Sequence, residues 1–435
     1  MGTVQKQVLL LTYYWPPSGG AGVQRWLKFC KYLPEFNVAV NVVTVHEKYA
    51  SYPVTDQSFT KDIDRHLTII KTKSFEPLHF YQRISGRKQV PFAGFANETK
   101  ENWKHEVSRF IRGNFFIPDA RRGWNGYAIK AARSIIKKKE IDTLITTSPP
   151  HSTQLAGIAL KQQFGIKWIA DLRDPWTDIY YYSKMNHTLP AKKLDAYYER
   201  QVLEQADKVV VVSEYIKQMF LKKSNKINPE KIVVIPNGYD EEDFSATAQK
   251  VNINEIIIAY NGTLSDNYPV KEFVSAFKIA IENFSDFKVM IRFTGSVAQE
   301  VIKYITAMIP DHCSFTQHVS HQQSVEILMQ SDINLLLIPD VENNEGILTG
   351  KLFEYLASKN PIVCIGPKNG NAAGIINECQ AGSTFEKVEV NQLSDYLGQL
   401  FRYYSANKSL KISNNLHQKY SRKNLSRIMS ELILS

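Results

Sequence analysis

Little in this chain speaks for crosslinks or metal clusters. Four cysteines, Cys30, Cys313, Cys364 and Cys379, are all that its 435 residues contain. They form no C-x-x-C and no histidine-paired spacing, which argues against structural zinc and against a disulfide framework. They read as small apolar residues, and no metal is expected. Long apolar runs are missing too. Segments such as 335–338 and 209–212 are strand-sized, well short of the roughly 20 residues that a membrane-spanning helix needs. The first residues offer no small-residue cleavage site and read as a buried strand rather than a leader. The expected location is the cytoplasm, with peripheral attachment to the inner face of the cell membrane as a variant. No low-complexity tract and no repeat with a period of about 20–50 residues is visible.

What is present is globular. Apolar residues make up 43% and charged residues 22% of the chain, values that allow a sizeable core. The length suits two domains. Net charge is +10, and most of it is local. Residues 71–133 hold 13 Lys/Arg against 5 Asp/Glu, interleaved with aromatics such as Phe75, Phe110, Phe115 and Trp124. A basic aromatic surface suits an anionic membrane. No nucleic-acid motif accompanies it, so nucleic acid is not expected as a partner. The plain alternative is a solvated insertion whose aromatics pack inward.

Apolar runs of strand length alternate with helical periodicity along the whole chain. Strands are expected at 4–12, 38–45, 67–71, 142–147, 167–172, 208–213 and 231–236. A second series follows at 256–260, 288–294, 313–318, 333–338, 361–365 and 383–385. Helices fall between them, and a last amphipathic helix is expected over 414–434. Repeated β-α-β predicts an α/β fold of two doubly wound parallel-sheet domains. The expected division is 1–245, 246–410 and 411–435, with a polar linker around 237–255.

Open α/β sheets bind ligands beyond the carboxyl ends of their strands. The unusual residues gather there. The first strand runs into a loop with Gly19 and Gly20. Its 20–25 stretch half-matches G-x-G-x-x-G, with Arg25 where the third glycine would stand. Glu47 sits where a ribose-binding acid would be expected, but the two prolines before the glycines make a stiffer entry than a dinucleotide turn. Backbone amides approaching an oxygen-rich ligand are the simpler reading. His151 follows two prolines at another strand end. Asp171, Arg173 and Asp174 place three charges past a third, as ligand contacts or as an internal cluster that organises the loop. In the second half, Lys351 falls in the first turn of a helix that Thr349 can cap. A cation there opposes the helix dipole, which makes sense if an anion binds with it. The alternative is a Lys351–Glu354 pair at i,i+3.

Five stretches in linear order carry a resemblance: PPSGGAGVQRWLKFCKYL at 16–33, TTSPPHSTQLAGIAL with WIADLRDPW within 146–176, VVVVSEYIKQMF at 209–220, IPNGYD at 235–240 and EGILTGKLFEYLASKNPIVCIGP at 345–367. Together the chain resembles the GT-B glycosyltransferases of the retaining family-4 type. The resemblance implies two Rossmann-like domains facing a central cleft, with the last helix crossing back to the first domain. It implies a sugar moved from a nucleotide-sugar, UDP- or GDP-linked, to a glycan or lipid-linked acceptor with retained configuration, in surface polysaccharide or glycoconjugate synthesis. It makes His151, Lys351 and Glu345 the catalytic candidates. It assigns the donor to Gly19, Gly20, Gly262, Thr263, Gly295, Thr349, Gly350, Lys351, Leu352 and Glu354, and implies no metal and no other cofactor.

There are departures. Eight residues separate Glu345 from Glu354, one more than that family usually has. Asn261-Gly262-Thr263 stands where it usually has an arginine. A nucleotide-sugar epimerase, and a non-catalytic protein that binds a nucleotide-sugar or a partner, are the competing readings.

Overall fold

The computed structural model describes residues 5–76, 103–245, 254–282, 284–317 and 319–435. Positions 77–102 of the basic segment, and the expected division at 246, lie outside the described residues.

The chain condenses into two units: residues up to Pro236 together with Arg422–Ser435, and Asn237–Ser421. In the first unit lie β1 (Lys6–Leu11), β2 (Val38–Val45), β3 (Thr68–Thr72), β4 (Thr143–Ser148), β5 (Lys167–Leu172), β6 (Lys208–Val211) and β7 (Ile232–Val234). They form a parallel sheet in the order β3-β2-β1-β4-β5-β6-β7. The strands are runs of Val, Ile and Leu because both faces are covered. One face packs on α3 (Asn125–Lys139), α4 (Ser152–Phe164) and α5 (Leu189–Gln205), around the buried indoles of Trp124, Trp168 and Trp176. The other packs on α1 (Ala21–Tyr32), around Trp15, Trp26 and Phe29. Two further helices are α2 (Trp103–Phe115) and α6 (Glu214–Leu221).

The second unit repeats the plan. Its strands are β8 (Glu255–Asn261), β9 (Lys288–Thr294), β10 (Cys313–Thr316), β11 (Ile333–Leu337), β12 (Ile362–Ile365) and β13 (Gly382–Phe385). Their order is β10-β9-β8-β11-β12-β13, again parallel. The helices are α7 (Val270–Glu282), α8 (Gln299–Met308), α9 (His321–Met329), α10 (Gly350–Ser358), α11 (Asn371–Glu378) and α12 (Val390–Asn407). In both sheets the strand order reverses beside the first strand, between β1 and β4 and between β8 and β11. Such reversals are where open sheets bind ligands.

The sequence pattern missed α2 and α11. The α11 run, NAAGIINE, is short and carries a glycine, so its apolar stripe is thin. The last helix is not continuous over 414–434. A 3-10 turn spans Leu416–Tyr420, and α13 (Arg422–Leu434) starts afresh. Ser421 between them is extended, at φ −66° and ψ 144°, and pairs with Tyr239 as an isolated bridge. Serine is a favoured residue at such a break because its side chain competes with helix hydrogen bonds.

Helix α13 belongs to the first unit. Leu425, Met429 and Ile433 are buried with Trp26, Leu27 and Cys30. Lys167 donates through Nζ to the last carbonyls of α13, Leu432 O at 2.9 Å and Ile433 O at 3.1 Å. A lysine there satisfies orphan carbonyls and suits the negative end of the helix. All four cysteines are free thiols.

Candidate active site

In the first unit, the neighbouring strands β1, β4 and β5 deliver three loops side by side. The β1 loop is pinned at its tip, where Gly19 N–H donates to Val54 O at 2.9 Å and Asp56 N–H donates to Pro17 O at 2.9 Å. Gly20 follows at φ 95° and precedes α1 without a side-chain cap. That backbone is costly for any residue with a Cβ, and it leaves the first N–H groups of α1 uncapped by a side chain.

Asp171 ends β5 and is completely buried. Its carboxylate accepts from Arg25 Nη2 at 2.9 Å, Trp26 Nε1 at 2.7 Å and Thr147 Oγ1 at 2.8 Å. Arg25, equally buried, also donates to Ile235 O at 2.9 Å and Pro236 O at 3.0 Å. Asp171 therefore organises the loops by tying α1 to β4 and β5. The arginine at the third glycine position is its counter-ion, which no dinucleotide turn could accommodate there. Glu47 pairs with Lys71 at 2.9 Å. Arg173 donates through Nε to Ser148 O at 2.9 Å. Burial lowers its pKa, and burial raises that of Asp174, with Arg173 opposing the shift.

His151 sits just before α4. Its ring stacks on Trp176, with centroids 4.6 Å apart and planes 15° from parallel. Burial, with the Arg173 charge adding to it, pushes its pKa down to about 3. The ring is neutral at physiological pH, and its Nδ1 is buried without a protein partner. A neutral imidazole with one unused nitrogen can accept or donate one hydrogen bond to a ligand.

His151 also borders a cavity of about 140 Å³, wholly within the first unit. Its walls come from the end of α2, the Pro149–His151 loop and the stretch from Trp176 to His187. The sequence reading singled out none of Arg112, Arg121, His187 or Asp195, which share these walls. They lie far apart in the chain and in no motif, so no spacing could reveal them.

In the second unit, β8 ends in Asn261-Gly262-Thr263 and β9 ends in Gly295. Gly262 is at φ 129° and Gly295 at φ 122°. A Cβ on Gly295 would come within 2.4 Å of Gly262 O, and one on Gly262 within 3.1 Å of Lys351 Nζ. The glycines thus keep a gap in front of α10. Thr349 occupies the position before that helix, but its hydroxyl makes no capping hydrogen bond. Its Oγ1 is buried and unpartnered. The amides of Gly350 and Lys351 open the helix, while Leu352 turns into the core and donates its N–H to Thr349 O at 3.2 Å.

Lys351 lies across the Tyr260 ring, its Nζ 4.1 Å from the centroid, and donates to Tyr260 OH at 2.9 Å. Tyr260 OH in turn donates to Thr263 O at 2.7 Å. Burial pushes the Lys351 pKa down to about 7, with the Glu354 charge working against it. The alternative reading, a Lys351–Glu354 ion pair at i,i+3, is not what forms. Glu354 instead lies 3.6 Å from His321 Nδ1, whose Nε2 faces Asp243 at 3.2 Å. Glu345 stands in a 3-10 turn, Asn344–Gly346, after Asn343 in the left-handed region. Among the described residues its carboxylate has no ion pair, and no group of three or more His, Cys, Asp or Glu is placed to hold a metal ion.

Two parallel-sheet Rossmann-like units, each with its loaded loops beyond the strand ends, define the GT-B architecture of glycosyltransferases. Residues 89–243 match the family model described as Glycosyltransferase Family 4. No curated protein sequence matches it. Among solved structures, it is similar to sucrose-phosphate synthase from Thermosynechococcus elongatus, with TM-score 0.64 and 14% identity over 99% of this chain and 98% of that one. A glycosyltransferase from Rickettsia africae gives 0.60 and 17%, over 99% and 97%. TarM of S. aureus, in complex with Fondaparinux, alpha-GlcNAc-glycerol and UDP, gives 0.56 and 14%, over 99% of each chain.

Proposed function

We propose that the protein transfers a sugar from a nucleotide-sugar to a glycan or lipid-linked acceptor with retained configuration, in surface polysaccharide or glycoconjugate synthesis. The observation that carries this reading is Lys351. A half-buried cation at an uncapped helix N-terminus, with an unpartnered threonine hydroxyl and a glycine-lined gap beside it, is built for an anion such as a diphosphate. The cation and the helix dipole would stabilise the leaving nucleoside diphosphate without a metal. Lys351, Thr349, Gly350, Gly262, Thr263 and Gly295 hold the donor in this reading, with Glu354 on the ribose and Glu345 on the sugar. His151 supplies a neutral hydrogen-bonding group near the transferred sugar. That TarM was solved with UDP makes a UDP-linked donor the first choice.

The basic aromatic segment would dock the protein on an anionic membrane surface. Helix α2 supports this. Val107, Phe110, Ile111 and Phe115 are exposed at helical spacing, with Arg109 and Arg112 among them. Among the described residues no helix is long and apolar enough to cross a membrane.

The test is a thermal-shift panel of UDP-, GDP-, ADP- and dTDP-sugars, with NAD included. One nucleotide-sugar should raise the unfolding midpoint by mass action, and Lys351→Ala should abolish that rise. A response to NAD alone would overturn the reading. Binding with release of an epimerised sugar nucleotide, and no transfer, would select the epimerase instead.

A further inference from the structure

His321 is the first residue of α9, directly after Ser320, which forms a capping box with Gln323. That box already serves the start of the helix, and a cation in a first turn opposes the helix dipole. The imidazole meets a carboxylate on each side instead. Its Nε2 lies 3.2 Å from Asp243 and its Nδ1 3.6 Å from Glu354. Only the imidazolium, with a hydrogen on each nitrogen, serves both carboxylates at once. The three side chains are largely enclosed, at 17%, 25% and 18% exposure for His321, Asp243 and Glu354. Enclosed charges are costly without such partners.

The frame around this triad is built rather than incidental. Asp243 lies in the 3-10 turn Glu241–Phe244, which Asp240 caps by accepting from Glu242 N–H at 3.2 Å. Phe244 packs that turn against the buried cluster that holds Leu352, Phe353 and Leu356 of α10. On the other side, Asn261 at the end of β8 donates through Nδ2 to Ser324 Oγ at 2.9 Å and Ser324 O at 3.1 Å, in the first turn of α9. The Asn261 N–H donates to Tyr355 OH in α10 at 3.0 Å. The strand end that leads into Gly262 and the helix that carries Lys351 and Glu354 are thus both tied to α9. His321 therefore faces Glu354 from a fixed element, which is how precise sites are supported.

We propose that His321 is a positioning residue: anchored on Asp243, it holds the Glu354 carboxylate in the orientation that accepts both hydroxyls of the nucleotide's ribose. The placing of Glu354 on the ribose rests on the transferase reading. A carboxylate only accepts, and two neighbouring hydroxyls donate to its two oxygens in one orientation. An unsupported glutamate loses rotamer freedom when it adopts that orientation. His321 removes that cost before the nucleotide arrives. Contacts in such sites are often long before substrate binds and tighten afterwards, which accommodates the 3.6 Å separation.

The experiment measures the binding of UDP and GDP, each beside its 2′,3′-dideoxy form, by calorimetry on the full chain. One ribonucleotide should bind the unaltered protein roughly tenfold tighter than its dideoxy form, as a charge-assisted hydrogen bond provides. His321→Ala should lose most of that preference and leave the affinity for the dideoxy form unchanged. His321→Asn, whose amide can reach the place of Nδ1, should restore part of it. His321→Gln, whose amide reaches the place of Nε2 instead, should not. If His321→Ala does not fold, the contrast between Asn and Gln carries the same test. A merely structural role would weaken both nucleotide forms alike. That outcome, an undiminished preference in His321→Ala, equal preference in the Asn and Gln variants, or no preference in the unaltered protein would each overturn the proposal. If it falls on the ribose result, dideoxy binding that Lys351→Ala abolishes still upholds the donor reading. Failure of every nucleotide to bind brings down both.

Discussion

Lys351 is the residue whose environment says most about its work. Lysine titrates near 10.4 in an unfolded chain, whereas burial brings this one down to about 7. Between those values the unfolded chain holds more protons, so the ligand-free protein gains stability as pH rises through that window. An anion at α10 reverses the shift. Binding a nucleoside diphosphate at about pH 8 should therefore take up close to one proton, and almost none below about pH 6. Calorimetry in buffers of different ionisation enthalpy reads this directly, and Lys351→Met should abolish it. The same scale shows what sequence can and cannot tell. The lysine and the glycines beside it were legible because helix capping and strand-end position are local. That Thr349 leaves its hydroxyl unused, and that Glu354 turns to His321, depends on packing and was not. Asp171 left two readings open in the sequence. Only the burial of Arg25 and Trp26 around it decides for loop organisation.

At the scale of elements, nearly every strand was legible from apolar runs bounded by turn residues. Helix α2 was not, because it emerges within a basic, aromatic stretch with no clean start signal. The break at Ser421 was hidden because the apolar spacing on either side continues across it. Its consequence is that α13 stands as a separate helix held by a few side chains. Met429 is fully buried among Trp26, Leu27 and Cys30. Replacing it by alanine should cost about 2–5 kcal/mol, measured by denaturant unfolding. A loss under about 0.5 kcal/mol, the size of an ordinary surface change, would show that α13 docks by its backbone capping through Lys167 and not by its apolar face.

For the whole molecule, the two-sheet plan followed from the alternation of patterns, and the positive charge was visible in composition alone. Charge makes a prediction at this scale. Sedimentation with vesicles should recover the protein on anionic lipid and not on neutral lipid. Because exposed charges are screened beyond about 8 Å at physiological ionic strength, raising salt should release it. Charge-reversing Arg109→Glu should weaken the binding, by about 1 kcal/mol for each basic group lost near the surface. Retention on neutral vesicles at high salt would instead assign the attachment to the apolar stripe of α2.

The chain leaves the first unit at Pro236 and returns to it at Arg422. A ribosome makes this protein from one end, so the first unit is almost complete while its closing helix does not yet exist. During that interval the surface that Leu425, Met429 and Ile433 cover stands exposed, although the second unit can close on its own contiguous chain. Exposed apolar surface of that kind is what chaperones hold and what aggregates. The nascent chain is therefore most vulnerable during synthesis of the second unit, and a transcript cut short near its end would yield a finished second unit attached to an open first one.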